Sequence, residues 1–252
     1  MTRVAALYDI HGNLPALRAV LDDIAGEKVD TLVIGGDAVS GPLPVETIER
    51  LTALGGRARF VRGNADREVV EAYDQRSSGG GDGAADGSAA FAAARFSPSQ
   101  RDFLARFEPT VALEVDGLGE VLFCHGSPRS DTEIITTASS PERLRGALAG
   151  VKQRVVVCGH THRQFDRRVD QWRVVNAGSV GLPYEGRRGA YWALLGPAVE
   201  LRRTEYDLDA AVEELRAGGV PDLDALLRES LLTPVDPDEV AEFFERQALG
   251  TA

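Results

Sequence analysis

An α/β fold built on a parallel sheet is predicted by three features of the chain. Its first sixty residues alternate apolar strand runs with amphipathic helical ones, each strand there ends in a short polar turn, and the second half changes to hairpin-like strand pairs. The first strand covers residues 4–8. A helix over 14–25 follows, in which Leu14, Leu17, Leu21 and Ile24 recur at three- and four-residue steps and Val20 widens the stripe. Asn13 is placed to cap this helix, and Pro15 lies in its first turn, where an absent N–H is tolerated. A strand over 31–34, a helix near 45–54 and a strand over 58–62 complete a βαβαβ unit. Residues 76–90, RSSGGGDGAADGSAA, have the Gly/Ser-rich composition of a flexible insertion. A helix over 98–107 returns the chain to the body. Strands over 111–115 and 120–124 pair as a hairpin, a helix over 141–148 precedes a strand over 154–158, and 164–169 with 172–175 form a second hairpin. Two more strands, 190–195 and 199–206, end a half that reads as antiparallel. Helices over 208–216, 223–231 and 237–247 make up a tail, residues 207–252, whose Leu, Val and Phe residues at helical spacing predict packing on the body. The whole chain, 1–252, thus reads as one domain.

Hydrophobic residues make up 43% of the 252 and charged residues 27%, the balance of a soluble globular protein. No run approaches the roughly 18 apolar residues of a membrane helix. The N-terminus runs directly into the first strand and its motif, so no signal peptide is expected. Cys124 and Cys158 fall within apolar strands and read as buried thiols, which suits a reducing cytoplasm. The net charge of −11 is concentrated in the tail: 13 acidic and 3 basic residues lie from Glu205 onward, leaving −1 for the first 204. The body can therefore offer arginines to phosphates. No dense basic stripe marks it as a nucleic-acid binder, and oligomeric state has no readable signal.

The chemistry lies in the turns. All four histidines occur in Gly-containing motifs that also carry Asp or Asn: Asp9-Ile-His11-Gly-Asn13, Gly36-Asp37, Gly63-Asn64-Ala65-Asp66, His125-Gly126 and Gly159-His160-Thr-His162. Mixed oxygen and imidazole donors suit divalent ions such as Mn, Fe, Zn, Co or Ni. Each motif follows a predicted strand, and strand ends in an α/β sheet share one crevice. Singly, each residue has a bland alternative: a helix cap for Asn13, a turn former for Asn64, a structural histidine for His125. Their joint occurrence in order does not. If the backbone stays extended, the two-residue step from His160 to His162 sends both imidazoles the same way.

This ordered set, followed by Asn176-Ala-Gly-Ser-Val-Gly181, resembles the calcineurin-like metallophosphoesterases, in particular their small bacterial and archaeal phosphodiesterase branch. The resemblance spans residues 3 to about 206. It implies a four-layer α/β/β/α sandwich of two mixed sheets, with two divalent ions, Mn foremost and Fe, Zn, Ni, Co or Mg as alternatives. One ion would be held by Asp9, His11, Asp37 and His162, the other by Asp37, Asn64, His125 and His160, with Asp37 as bridge. Asp37, Asn64 and His125 would form the catalytic heart. In such a site two ions about 3.5–4 Å apart share a water and lower its pKa toward about 7, giving a bridging hydroxide as nucleophile. Asn13, Asp66 and Asn176 are expected to support the ligands, Asp66 as a cap for a helix around residues 67–73. Arg129 and Arg163 are the candidate contacts to substrate phosphate. One departure matters. Phosphatases of the family carry a histidine after the Asn of G-N-x-D, and here that position is Ala65. The expected function is hydrolysis of a small phosphodiester, with phosphomonoesterase, protein phosphatase or nuclease activity as alternatives within the fold and a non-catalytic protein-binding scaffold as one outside it.

Overall fold

In the computed structural model, which describes residues 2–77 and 87–250, ten strands form two five-stranded sheets. The first sheet has the order β10-β9-β1-β2-β3. Its strands are β1 (Val4–Leu7), β2 (Thr31–Ile34), β3 (Ala58–Phe60), β9 (Ala190–Leu195) and β10 (Val199–Thr204). β1, β2 and β3 run parallel, with α1 (Leu14–Ala25) and α2 (Pro44–Thr52) as their crossovers. The second sheet has the order β4-β5-β6-β8-β7 and contains β4 (Thr110–Val115), β5 (Gly119–Cys124), β6 (Val155–Cys158), β7 (Phe165–Val169) and β8 (Trp172–Asn176). The remaining helices are α3 (Asn64–Ser77), α4 (Gly87–Ala93), α5 (Pro98–Leu104), α6 (Pro141–Ala147), α7 (Leu208–Ala217), α8 (Leu223–Leu227) and α9 (Pro237–Ala248).

Side-chain alternation on the strands divides the apolar residues into three cores and so into four layers. Along β1, Val4 and Ala6 face the second sheet, as does Tyr8 just beyond it, while Ala5 and Leu7 face the helices. On β6, Val155 and Val157 enter the inter-sheet core, whereas Val156 and Cys158 meet Leu144 and Leu148 of the α6 region. Strands covered on both faces are apolar throughout, which is why β1, β2 and β6 show no polar alternation in the sequence. The Tyr8 hydroxyl ties the sheets together by donating to Val157 O at 3.1 Å. The result is helix, sheet, sheet, helix: the expected α/β/β/α sandwich.

Three expectations change. The second half is not wholly antiparallel: β5–β6 and β6–β8 pair in parallel, and only the β4–β5 and β7–β8 hairpins are antiparallel within that sheet. The long path from β5 through α6 to β6 is a crossover, and crossovers return a strand parallel. The strands β9 and β10, moreover, join the first sheet beside β1. The stretch expected as a flexible insertion, 76–90, is helical at both ends, in α3 and α4; its centre, 78–86, lies outside the described residues. In the tail the helix expected over 223–231 is α-helical only to Leu227 and then widens to a π-turn over Arg228–Leu232. Val212, Leu215, Val220, Leu223, Leu227 and Leu231 of this tail pack into the core on the helical face of the first sheet. Among the described residues no helix is long and apolar enough to cross a membrane.

Candidate metal centre

Loops at the ends of β1, β2, β3, β5 and β6 meet where the two sheets abut. The first two zip together: Asp9 N–H donates to Gly36 O, His11 N–H to Asp37 O and Gly12 N–H to Ala38 O, at 2.9–3.1 Å. Gly159 N–H donates to His125 O at 2.8 Å, joining the loops of the second sheet. Asp9, His11 and His162 then offer ligand atoms that all lie within 4.8 Å of one another, and so do Asp37, His125 and His160. Each cluster draws from both sheets. Asp37 Oδ2 stands 3.3 Å from His125 Nε2 and 3.8 Å from His11 Nε2, so its carboxylate faces both.

The backbone aims these side chains. Asp9, His11, Asp37, His160 and His162 all have positive φ, between 48° and 68°. Non-glycine residues rarely adopt this left-handed region, which costs roughly 1 kcal/mol or more at each position, and such strain gathers at functional sites. The geometry corrects the argument from extended alternation. His160 and His162 are both left-handed, and they go to different clusters.

Each carboxylate divides its two oxygens. Asp9 Oδ2 accepts from His160 N–H at 2.9 Å and Asp37 Oδ1 from Ala65 N–H at 2.8 Å, which leaves Asp9 Oδ1 and Asp37 Oδ2 toward the imidazoles. The Nδ1 atoms of His11, His125 and His162 pair with the carbonyls of Ser40, Gly35 and Leu182, at 3.2, 3.0 and 2.7 Å. A carbonyl only accepts, so each Nδ1 carries hydrogen and each Nε2 is the nitrogen left to face the cluster. His11 and His162 point these nitrogens at each other, 3.2 Å apart. Asp9 Oδ1, His125 Nε2 and Asn64 Oδ1 are buried without a hydrogen-bond partner. Unpartnered buried atoms are costly, and two of these, Asp9 Oδ1 and His125 Nε2, lie 3.9 Å apart, as fits a site built to coordinate cations.

Electrostatics points the same way. Burial alone would lower the pKa of His125, yet the carboxylates of Asp37 and Asp9 push it up to about 10. His162 is raised too, against its burial, by Asp9. Burial and neighbouring imidazoles lower His11, and they bring His160 down to about 4. Asp37, despite complete burial, is held well below the usual carboxylate range by His125 and His11. Each cluster therefore pairs one imidazole whose protonated form is favoured by its carboxylates with one whose protonated form is disfavoured, and a proton on the former marks where positive charge is favoured. A divalent ion must displace it. Binding of Mn²⁺ at pH 8 is accordingly expected to release at least one proton per chain and to weaken as pH falls; calorimetry in two buffers of different ionisation heat measures this, and proton-neutral uptake would contradict it.

The supporting residues take different places. Asn13 caps α1, accepting from Ala16 N–H at 3.1 Å while donating to Gly181 O at 2.9 Å. Asp66 does not cap a helix beginning after it. α3 already starts at Asn64, and the Asp66 carboxylate accepts from Ala38 N–H at 2.9 Å and Gly63 N–H at 3.1 Å, tying the second loop to the third. Burial and then the Asp37 charge push its pKa up to about 7. Asn176 donates to Gly159 O at 2.7 Å and Thr161 Oγ1 at 3.1 Å, bracing the loop that carries His160 and His162. The arginines are directed elsewhere: Arg129 pairs with Glu133 and donates to Gly146 O, while Arg163 donates to Thr137 Oγ1, Pro237 O and Asp238. Cys124 and Cys158 are buried free thiols, with burial raising the pKa of both and pushing Cys158 to about 12. Tyr184, stacked on His162, gave no signal in the sequence.

Two abutting His/Asp clusters at the strand ends of a paired-sheet sandwich define a protein of the metal-centred α/β/β/α class. The chain belongs to the calcineurin-like phosphoesterase superfamily, whose domain matches residues 2–195. Over 78 residues it is 36% identical to phosphodiesterase YfcE of Escherichia coli K12; the alignment takes in 27% of this chain and 42% of that protein, so the chain spans less than half the length of the curated relative. Two solved structures share the fold. PH1004 from Pyrococcus horikoshii OT3 superposes with a TM-score of 0.76 at 20% identity, covering 93% of this chain and 100% of its own. A metallophosphoesterase from Sphaerobacter thermophilus gives 0.68 at 23% identity, covering 90% and 97%.

Proposed function

We propose that the chain is a metal-dependent hydrolase of phosphodiesters. The observation that carries this reading is the pair of buried clusters sharing the Asp37 carboxylate, with Asp9 Oδ1 and His125 Nε2 unpartnered beside it. Asp9, His11 and His162 would hold one ion and Asn64, His125 and His160 the other, with Asp37 common to both; Mn is the first candidate, and Fe, Zn, Ni, Co and Mg suit the same donors. When bound, a pair of such ions activates water, grips phosphoryl oxygens and offsets charge building up at phosphorus.

The chain's own residues prepare that chemistry. The carbonyls of Ser40, Gly35 and Leu182 fix three imidazoles with Nε2 inward, and the N–H groups of His160 and Ala65 pin one oxygen of each carboxylate, so the donors need no reorganisation when an ion arrives. What the chain lacks is a histidine to spare as proton donor for the leaving group. Ala65 has no acidic proton, and the four histidines are all members of the two clusters. Departure of an alkoxide is therefore unassisted by an imidazole, which favours esters with good leaving groups and, following the named relative, diesters. The test compares two nitrophenyl esters under identical Mn²⁺. Bis-p-nitrophenyl phosphate is expected to turn over faster than p-nitrophenyl phosphate, and the reverse ratio would assign the chain to the phosphomonoesterases.

A further inference from the structure

Helix α9 lies outside the matched family domain and contributes no ligand, yet it is mechanically connected to one. The link is Tyr184. Its ring lies over that of His162, with centroids 5.1 Å apart and planes inclined by 16°, and its N–H donates to His162 O at 3.0 Å. Leu182 O, two residues earlier, takes His162 Nδ1 at 2.7 Å. The segment 182–184 thus holds this one ligand by its outer ring nitrogen, its main-chain carbonyl and its ring face. His162 needs such support, because its backbone is left-handed at φ 56° and its Nε2 faces His11 Nε2 at 3.2 Å.

Behind Tyr184 stands Phe244 of α9, with ring centroids 6.1 Å apart. The grip of α9 on the body is largely polar. Glu245 accepts from Thr136 Oγ1 at 2.9 Å and is also bound by Ser139 Oγ and Arg143. Arg163, the residue after His162, donates to Pro237 O at 2.6 Å and to Asp238 at 2.8 Å. The helix's apolar anchorage is confined to buried Ala241 and half-buried Val240 and Phe244 near Phe165, while Phe243 is 47% exposed. Loosening the Glu245 latch would leave α9 held by Arg163 at its first turn but release the part of the helix that carries Phe244, and Tyr184 would lose its backing.

We infer that Tyr184 is a positioning residue for His162, and that α9, latched through Glu245 and bearing on Tyr184 with Phe244, sets the metal affinity of the Asp9–His11–His162 cluster. The inference rests on the metal-centre reading and adds the C-terminal helix to it. A stacked partner restricts rotation of the imidazole. Removing it lets the ring leave the orientation in which Nε2 meets Asp9 Oδ1, now 3.5 Å away.

The test titrates the metal-free, full-length protein with Mn²⁺ by calorimetry at fixed pH and ionic strength. His162→Ala and His160→Ala assign each binding step to its cluster. Tyr184→Ala is expected to weaken the step assigned to His162 by about tenfold while leaving the other within about twofold, the scale typical of groups that orient a ligating histidine. Tyr184→Phe, which keeps the stack, should restore wild-type binding, and Glu245→Ala should weaken the same step as Tyr184→Ala. Weakening of both steps alike, as from a general loss of structure, or of neither, overturns the inference and leaves the metal centre standing. Wild-type protein that takes up no Mn²⁺ overturns the metal-centre reading itself, and this inference with it.

Discussion

Asp37→Ala is expected to give a folded protein whose phosphodiester turnover is lower by about a thousandfold or more, equivalent to about 4 kcal/mol of transition-state stabilisation. The size of the effect follows from the position of one carboxylate. Its Oδ2 faces His125 of one cluster and His11 of the other, and its Oδ1 accepts from Ala65 N–H. Alanine removes charge from both clusters at once and leaves a buried N–H unpaired. Asp37→Asn separates these consequences, since its amide oxygen can still accept from Ala65 while the charge is gone. Turnover should stay low in Asp37→Asn even where stability recovers, as read by initial rates alongside thermal melts. Retained turnover in Asp37→Ala would refute the shared-ligand role.

Gly63→Ala is the second large effect, and it acts without touching a ligand's chemistry. A Cβ at Gly63 would fall 2.1 Å from Asp37 Oδ1 and 2.4 Å from Asp37 N. The nearer atom belongs to the site and the other to its backbone, so neither can yield cheaply. Overpacking of this kind typically costs about 1–3 kcal/mol of stability. Here the same displacement moves the carboxylate that serves both clusters, so turnover and Mn²⁺ affinity should fall together. Gly56→Ala is the control. A Cβ there has nothing within 4 Å, and its effect should stay within about 0.5 kcal/mol, as for other surface substitutions. Parallel melts and Mn²⁺ titrations decide the matter; a Gly63→Ala protein with wild-type affinity would show that the third loop can move away without disturbing Asp37.

The strands, and the motifs that end them, were legible because they rest on local signals: apolar runs, cap residues and glycine. The bounds of α1 coincide with those read from its apolar stripe. What escaped depends on contacts between distant residues. Nothing local distinguishes β5–β6 as a parallel pair, since the thirty residues between the strands hide their crossover. The left-handed φ of His160 and His162 could not be foreseen either. Even histidine, which visits that region more often than most side chains, does so in a small minority of cases, and here contacts with distant neighbours accompany it, such as Asp9 Oδ2, which takes the His160 N–H. Arg163 looked free to meet a phosphate because Asp238, which takes it, lies 75 residues further on. Tyr184 was invisible for a similar reason: its role comes from the ring on which it lies, and tyrosine in a loop carries no code for that.

The division of ligands between the two sheets has a consequence for the endurance of the molecule. Each cluster takes residues from both halves of the sandwich, so a bound cation would act as a rivet across the seam where the sheets meet. Unfolding would then have to release it, and mass action makes the native state more secure as free ion rises, by about 2.7 kcal/mol when the ion stands at a hundred times its dissociation constant. The lifetime of the protein would thus follow the metal economy of its surroundings, with scarcity loosening the seam before any bond in the chain is altered.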